Sequence, residues 1–280
     1  MIPVRRNGRD IRVPAVSELL ADLKWEQGWL CGWRDVCRAT GERTAIPAFL
    51  PRVAVGNKFH LMFPSTSPLL SAALIAAQSS LVFDFISRQK IGNIAMGLFI
   101  WEQLPVPTPA MLEPHTAFLT PRVLELVYTA YDMAPLAPDL GDSGAPFTWD
   151  EERRAQIRAE LDAFFFRLYR IERDDVDYIM ETFQTESGGL KNNDIAKYGT
   201  YRTKDLILDA YDRMANSDAA GVPMRRRSRR LPAMDLGTLP ARASRPSDDL
   251  FTQRAWREFM FEAGLATDAA RAKVWVRQVG

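Results

Sequence analysis

The chain's 280 residues, 47% of them hydrophobic, suffice for one large or two modest domains around a real core and describe a folded, soluble protein. Thirty-six basic residues against thirty-five acidic leave a formal charge of +1, which excludes nucleic-acid binding by overall charge; any such affinity has to come from local patches. Cys31 and Cys37 with His60 and His115 are too few for a metal site of usual spacing, and the thiols read as half-buried groups in a reducing cytosol rather than a disulfide.

The first residues, MIPVRRNGRDIRVPAV, carry charges but no apolar signal core. The nearest imitation of a membrane span, residues 69–86, is closed by Asp84 and Arg88 and reads better as a buried core helix, so no membrane contact and a cytoplasmic location are expected. Residues 25–63 read as strands, WLCGWRDVCRA, TAIPAFLPRVAV and KFHLMF, separated by Gly41-Glu42 and Gly56-Asn57. Pro47 and Pro51 demote the middle run to an edge or bulged strand. One core helix is expected over 68–87, where Ser71, Ala72, Ala73, Ala76 and Ala77 suit tight packing. Residues 96–101 supply a further strand. Pro105, Pro107 and Pro109 then alternate through LPVPTP as an extended exit, which places a boundary close to Pro109.

Beyond it the pattern turns helical. Residues 120–132 start with Thr-Pro, as an N-cap and first helical position. Residues 148–169 start with a Thr148–Glu151 capping box and turn Ile157, Leu161, Phe164, Phe165 and Leu168 inward. Helices over 174–183 and 203–214 complete the set, with 134–147 as a loop. After Asn216, the RRRSRR run at 225–230 and a Pro/Ser/Arg-rich stretch predict a partly disordered tail. A short amphipathic helix over 248–263 is expected to dock back through Phe251, Trp256, Phe259 and Met260. The fold class is therefore α+β: residues 1–109 a small mixed sheet with a packed helix, 110–216 a helical domain, 217–280 a basic linker and short C-terminal helix.

Three clusters have contact chemistry. Arg38, Thr40, Glu42, Arg43 and Thr44 surround one turn, where guanidinium groups can bond guanine edges or hold phosphates; solvated arginines and threonines satisfying the turn's own backbone are the alternative. Arg88, Gln89, Lys90 and Asn93 follow the long helix. There the amides suit adenine and Lys90 a phosphate, or the cations simply cap the helix dipole. Tyr198, Tyr201, Arg202, Thr203 and Lys204, with Lys191, Asn192 and Asn193 on a preceding loop, would grip a backbone or form an ordinary helix entry capped by Thr203. The 225–230 run adds cations suited to phosphates. Asp174, Asp175 and Asp177 sit at a helix start, where carboxylates favour the dipole more than a metal.

WRDVCRATGERTAIPAFLP (33–51), LVFDFISRQKIGNIAMGLFIWEQLPVPTP (81–109), RLYRIERDDVDYIMETF (167–183) and YGTYRTKDLILDAYD (198–212) occur in this order. Together they resemble the C-terminal part of large adenine-specific DNA methyltransferases of restriction-modification and phage-defence systems, the type IIG kind, over roughly 25–214. The resemblance implies a target-recognition domain followed by helical segments. Its DNA contacts would come from Arg38, Thr40, Arg43, Thr44, Arg88, Gln89, Lys90, Asn93, Tyr198, Arg202 and Lys204 on double-stranded DNA. Those enzymes also carry a glycine-rich S-adenosylmethionine loop and an Asn/Asp-Pro-Pro-Tyr/Phe motif for the flipped adenine. This chain has no Pro-Pro dipeptide and no Gly-x-Gly element after a strand-like run. The implied protein is a recognition module without its catalyst: no cofactor in this chain, S-adenosylmethionine on a catalytic methyltransferase partner chain or domain. A scaffolding subunit anchored by Trp25, Trp29, Trp33 and Trp101 is the reading from another class.

Overall fold

The computed structural model describes residues 3–6, 9–12, 16–39, 41–92, 94–186, 188–216 and 230. Thr40, Asn93 and, Arg230 apart, the basic run, tail and C-terminal helix expected after Asn216 lie outside the described residues.

The chain is α+β. A hairpin of β1 (Pro3–Arg6) and β2 (Arg9–Arg12) precedes α1 (Val16–Asp22). β3 (Trp29–Arg34), β4 (Pro47–Pro51) and β5 (Phe59–Met62) then form a second sheet in the order β4-β3-β5, antiparallel throughout. Cys31 lies opposite Phe49 on one side and Met62 on the other. β4 takes the edge, where prolines remove no ladder bond on the open side. Central β3 is buried up to Trp33, and only Arg34 emerges.

The four tryptophans are core residues, which corrects their role as partner anchors. Trp33 stacks on Trp101 with centroids 4.5 Å apart, and Trp29 meets Phe49 edge-on at 5.1 Å. Burial is tolerated because indole N–H groups find acceptors: Trp33 donates to the Met96 carbonyl at 2.7 Å and Trp29 to Asp139 Oδ2 at 2.7 Å.

The expected helix over 68–87 is two helices, α2 (Pro68–Ser79) and α3 (Leu81–Lys90), bent by 60°. Ser80 makes the break. Its backbone N–H donates to the Ala77 carbonyl at 3.2 Å, closing α2, while its hydroxyl oxygen accepts from Phe83 N–H at 3.4 Å, opening α3. Among the described residues no single helix is long and apolar enough to cross a membrane.

Residues 96–101 are not a strand. An isolated bridge, Val36 to Ala95, is followed by the one-turn helix α4 (Leu98–Trp101), which sets the Trp101 ring against Trp33 and Phe83. α5 (Pro109–Leu112), a 3-10 turn (Glu113–His115) and α6 (Thr116–Val127) follow, so the helix expected from Thr120 starts earlier and holds Pro121 inside it. α7 (Leu136–Asp139) interrupts the expected 134–147 loop. α8 (Glu151–Leu168) is capped by Asp150 rather than Thr148, Oδ1 accepting from Arg153 N–H at 3.0 Å. α9 (Arg173–Glu181), α10 (Leu190–Tyr198) and α11 (Arg202–Ala215) complete the layer, α11 lying along α8. One apolar cluster runs from Leu20 to Met214 and is continuous across Pro109. Between α6 and α8 it encloses two buried ion pairs, Arg122–Glu160 and Arg153–Glu125, each with an Nε–O distance of 2.9 Å.

Candidate nucleic-acid interface

Residues 35–46 leave the end of β3 and return to β4, and α3 supplies their floor. Asp84 Oδ1 accepts the Thr44 and Ala45 N–H groups at 2.7 and 2.6 Å; Oδ2 accepts Arg88 Nε at 2.9 Å. Arg88 continues the network, Nη1 donating to the Ala39 carbonyl at 2.9 Å and Nη2 to those of Gly41 and Glu42 at 2.8 and 3.0 Å. The guanidinium also lies 4.3 Å from the Phe183 ring centroid. With side chains 1% and 8% exposed, Asp84 and Arg88 form a buried pair that holds the loop from below. Arg88 is therefore a positioning residue. Thr44 is one too: it is fully buried, and its hydroxyl donates to the Arg38 carbonyl at 3.2 Å.

Arg43 reaches the other way, over the α2–α3 break. Nη1 donates to the Ser79 carbonyl at 2.9 Å and Nη2 to Asp162 Oδ2 at 3.3 Å. Asp162 Oδ1 accepts Leu81 N–H at 2.6 Å. Burial pushes the Asp162 carboxyl above its usual range, and Arg43 opposes that shift.

Above this floor lies a shallow cavity of about 280 Å³ lined by Arg34, Val36, Cys37, Arg38, Gly41 and Arg43. Arg34 Nε donates to the Val36 carbonyl at 2.7 Å. Arg38 is exposed, and among the described residues its guanidinium makes no ion pair or hydrogen bond. Buried Cys37 lines the cavity; burial, reinforced by Asp35, pushes its thiol up to about 11, so it offers no thiolate at neutral pH. Cys31 is likewise a free, buried thiol.

Gln89 and Lys90 are exposed on the last turn of α3. Since neighbouring Arg88 is bonded to the carbonyls of Ala39, Gly41 and Glu42, this turn and the cavity share one edge. The first two clusters thus come together. Arg34 joins them, and the sequence reading missed it; the signal was its place just after inward-facing Trp33, where strand alternation turns a side chain outward.

The third cluster touches the first through Asn193, but its cations turn away from the cavity. Lys191, Asn192 and Asn193 belong to α10, which corrects their placement on a loop; Asn193 Nδ2 donates to Glu42 Oε1 at 2.5 Å and ties α10 to the turn. Arg202 pairs with Glu152 and lies 4.6 Å from the exposed Tyr198 ring. Lys204 pairs with Glu181 at 2.5 Å and Asp177 at 3.1 Å. Tyr201 is buried, donating to the Met180 carbonyl at 2.9 Å, and Thr203 is no cap: its N–H donates to Asp194 Oδ2 at 2.6 Å. These cations face carboxylates rather than the cavity.

Asp174 and Asp175 occupy the first turn of α9, and among the described residues no group of His, Cys, Asp or Glu could hold a metal ion. The described residues contain neither a parallel sheet nor a glycine-rich strand-to-helix loop, the elements that cradle nucleotide-like groups in doubly wound folds. No methyl-transfer step is assigned to this chain. Compared with models of known families, with curated proteins and with solved structures, the chain shows no match.

Proposed function

We propose that this chain is a cytoplasmic DNA target-recognition module of an adenine-specific restriction-modification or phage-defence methyltransferase system. It holds duplex DNA while a partner chain binds S-adenosylmethionine and transfers the methyl group. The observation that carries the proposal is the arginine-lined cavity beside the end of α3. Arg43 and Arg88 have their charge offset by buried Asp162 and Asp84, whereas Arg34 and Arg38 have no carboxylate partner among the described residues. Guanidinium forks on a loop fixed by backbone hydrogen bonds suit phosphates and guanine edges. Arg34, Arg38, Arg43, Gln89 and Lys90 are the proposed contacts; Thr44 and Arg88 hold the loop, and Tyr198, Arg202 and Lys204 form a separate flank. Thr40 and Asn93 keep only their sequence-based assignment.

The test is a Kd measurement on a labelled duplex in about 0.1 M salt. R34A/R38A is expected to weaken binding at least about tenfold, as losing two phosphate contacts should, with an unchanged Tm because both side chains are exposed. Unchanged affinity would remove the proposal. Scaffolding would then take its place, because Ile94 and Phe99, 64% and 78% exposed, put large apolar side chains on the segment paired with Val36.

A further inference from the structure

At the C-terminal end of α6 a second loop is folded as a receptor. Phe147 N–H donates to the Tyr128 carbonyl at 2.8 Å, Asp142 N–H to the Ala137 carbonyl at 2.9 Å, and the Tyr128 hydroxyl to the Gly144 carbonyl at 3.1 Å. Asp142 Oδ1 accepts Gly144 N–H at 2.6 Å. These bonds, all within 128–147, shape the loop and pre-organise it. Its open side presents Asp142 Oδ2, the Ala145 carbonyl and the face of Phe147, over a position without a Cβ.

Arg230 fills that side. Nη2 donates to Asp142 Oδ2 and Nη1 to the Ala145 carbonyl, both at 2.6 Å, and the guanidinium carbon lies 3.9 Å from the Phe147 ring centroid. Its backbone forms an antiparallel bridge with Phe147. The guanidinium lies flat on Gly144: a Cβ there would stand 2.5 Å from Nη1 and 2.6 Å from Cζ.

We infer that the 142–147 loop is a docking socket for an arginine on an extended segment, and that Arg230 occupies it in cis, tethering the basic run to the helical layer. Carboxylate, carbonyl and ring converge on one planar group, so a lysine, whose charge is a compact point, cannot satisfy all three. Backbone pairing with Phe147 adds the demand for extended chain. Chain connectivity then keeps Arg225, Arg226 and Arg227 within about 18 Å of the socket, raising the local concentration of their charge there. None of the cavity residues of the DNA proposal takes part, so the two stand or fall separately.

Limited trypsin digestion of the full chain tests the socket by the rate of cleavage after Arg225, Arg226 and Arg227. Gly144→Ala adds only the methyl group that meets the guanidinium, and Arg230→Lys keeps the charge while losing the fork. Both are expected to be cut about fivefold faster or more, since cleavage tracks the population of the released tail, with the Tm of the folded part unchanged. Wild-type rates in both variants would overturn the assignment. So would protection that grows with protein concentration, which would mean that a second copy supplies the arginine.

Discussion

Asp84→Ala is expected to destabilise the protein by about 3–5 kcal/mol, a large share of the stability of an ordinary domain. The carboxylate is buried and accepts three hydrogen bonds, two from the backbone of the 35–46 segment and one from Arg88. Alanine leaves two backbone donors and a nearly buried guanidinium without their shared acceptor, and the cost of an uncompensated charge exceeds that of a lost neutral hydrogen bond. Asp84→Asn should cost less, because its amide oxygen still accepts from Thr44 and Ala45 while the charge facing Arg88 is gone. Urea denaturation measures both. A loss below about 1 kcal/mol for the alanine variant, the size of an ordinary hydrogen bond, would show that the pair does not hold the loop. Amide exchange at Thr44 and Ala45 locates the effect, since release of the loop exposes those two N–H groups first.

Glu125→Ala is expected to cost a similar amount, about 3–5 kcal/mol. Arg153 donates to both oxygens of Glu125, at 2.9 and 3.2 Å, with both residues buried between α6 and α8. The neighbouring Arg122–Glu160 pair shares the site, and burial lowers the Arg122 pKa while Glu160 opposes that shift. Removing one anion thus leaves more positive than negative charge inside the core. Replacing both partners, as Glu125→Met with Arg153→Met, should cost much less than the single change, because no uncompensated charge remains. Thermal and urea unfolding of Glu125→Met, Arg153→Met and the double form a cycle whose coupling energy reports the pair. A double variant as unstable as the two singles added together would contradict this picture.

How much of this the sequence shows depends on the signal each element carries. The strands around Trp29, Pro47 and Phe59 are legible from their apolar runs and turn residues, and the prolines mark the edge strand correctly. Ser80 is not legible as a break: a serine in an alanine-rich run is compatible with a continuous helix, and only its two-sided capping shows otherwise. The apolar run 96–101 fits a strand or a helix by pattern alone, and packing of Trp101 on Trp33 decides for a helix. α10 escaped notice because LKNNDIAKY is polar. Its end was marked all the same by Gly199, whose φ of 77° is the left-handed helix cap that glycine supplies.

At the candidate interface the nature of the cations was legible and their deployment was not. Arg88 looked like a surface contact, yet Asp84 one turn earlier was already visible as an i, i+4 partner. Arg43 and Lys204 find their carboxylates far away in sequence, at Asp162 and Glu181, where spacing gives no hint.

The salt dependence of duplex binding tests the proposed interface most directly, because each phosphate contact contributes about −0.9 to the slope of log K against log salt. With Arg34, Arg38 and Lys90, which have no carboxylate partner among the described residues, facing the backbone, the expected slope is about −3, falling in magnitude by about 2 in R34A/R38A. A slope near zero, or the same slope in wild type and variant, would place the DNA contacts elsewhere or deny them altogether.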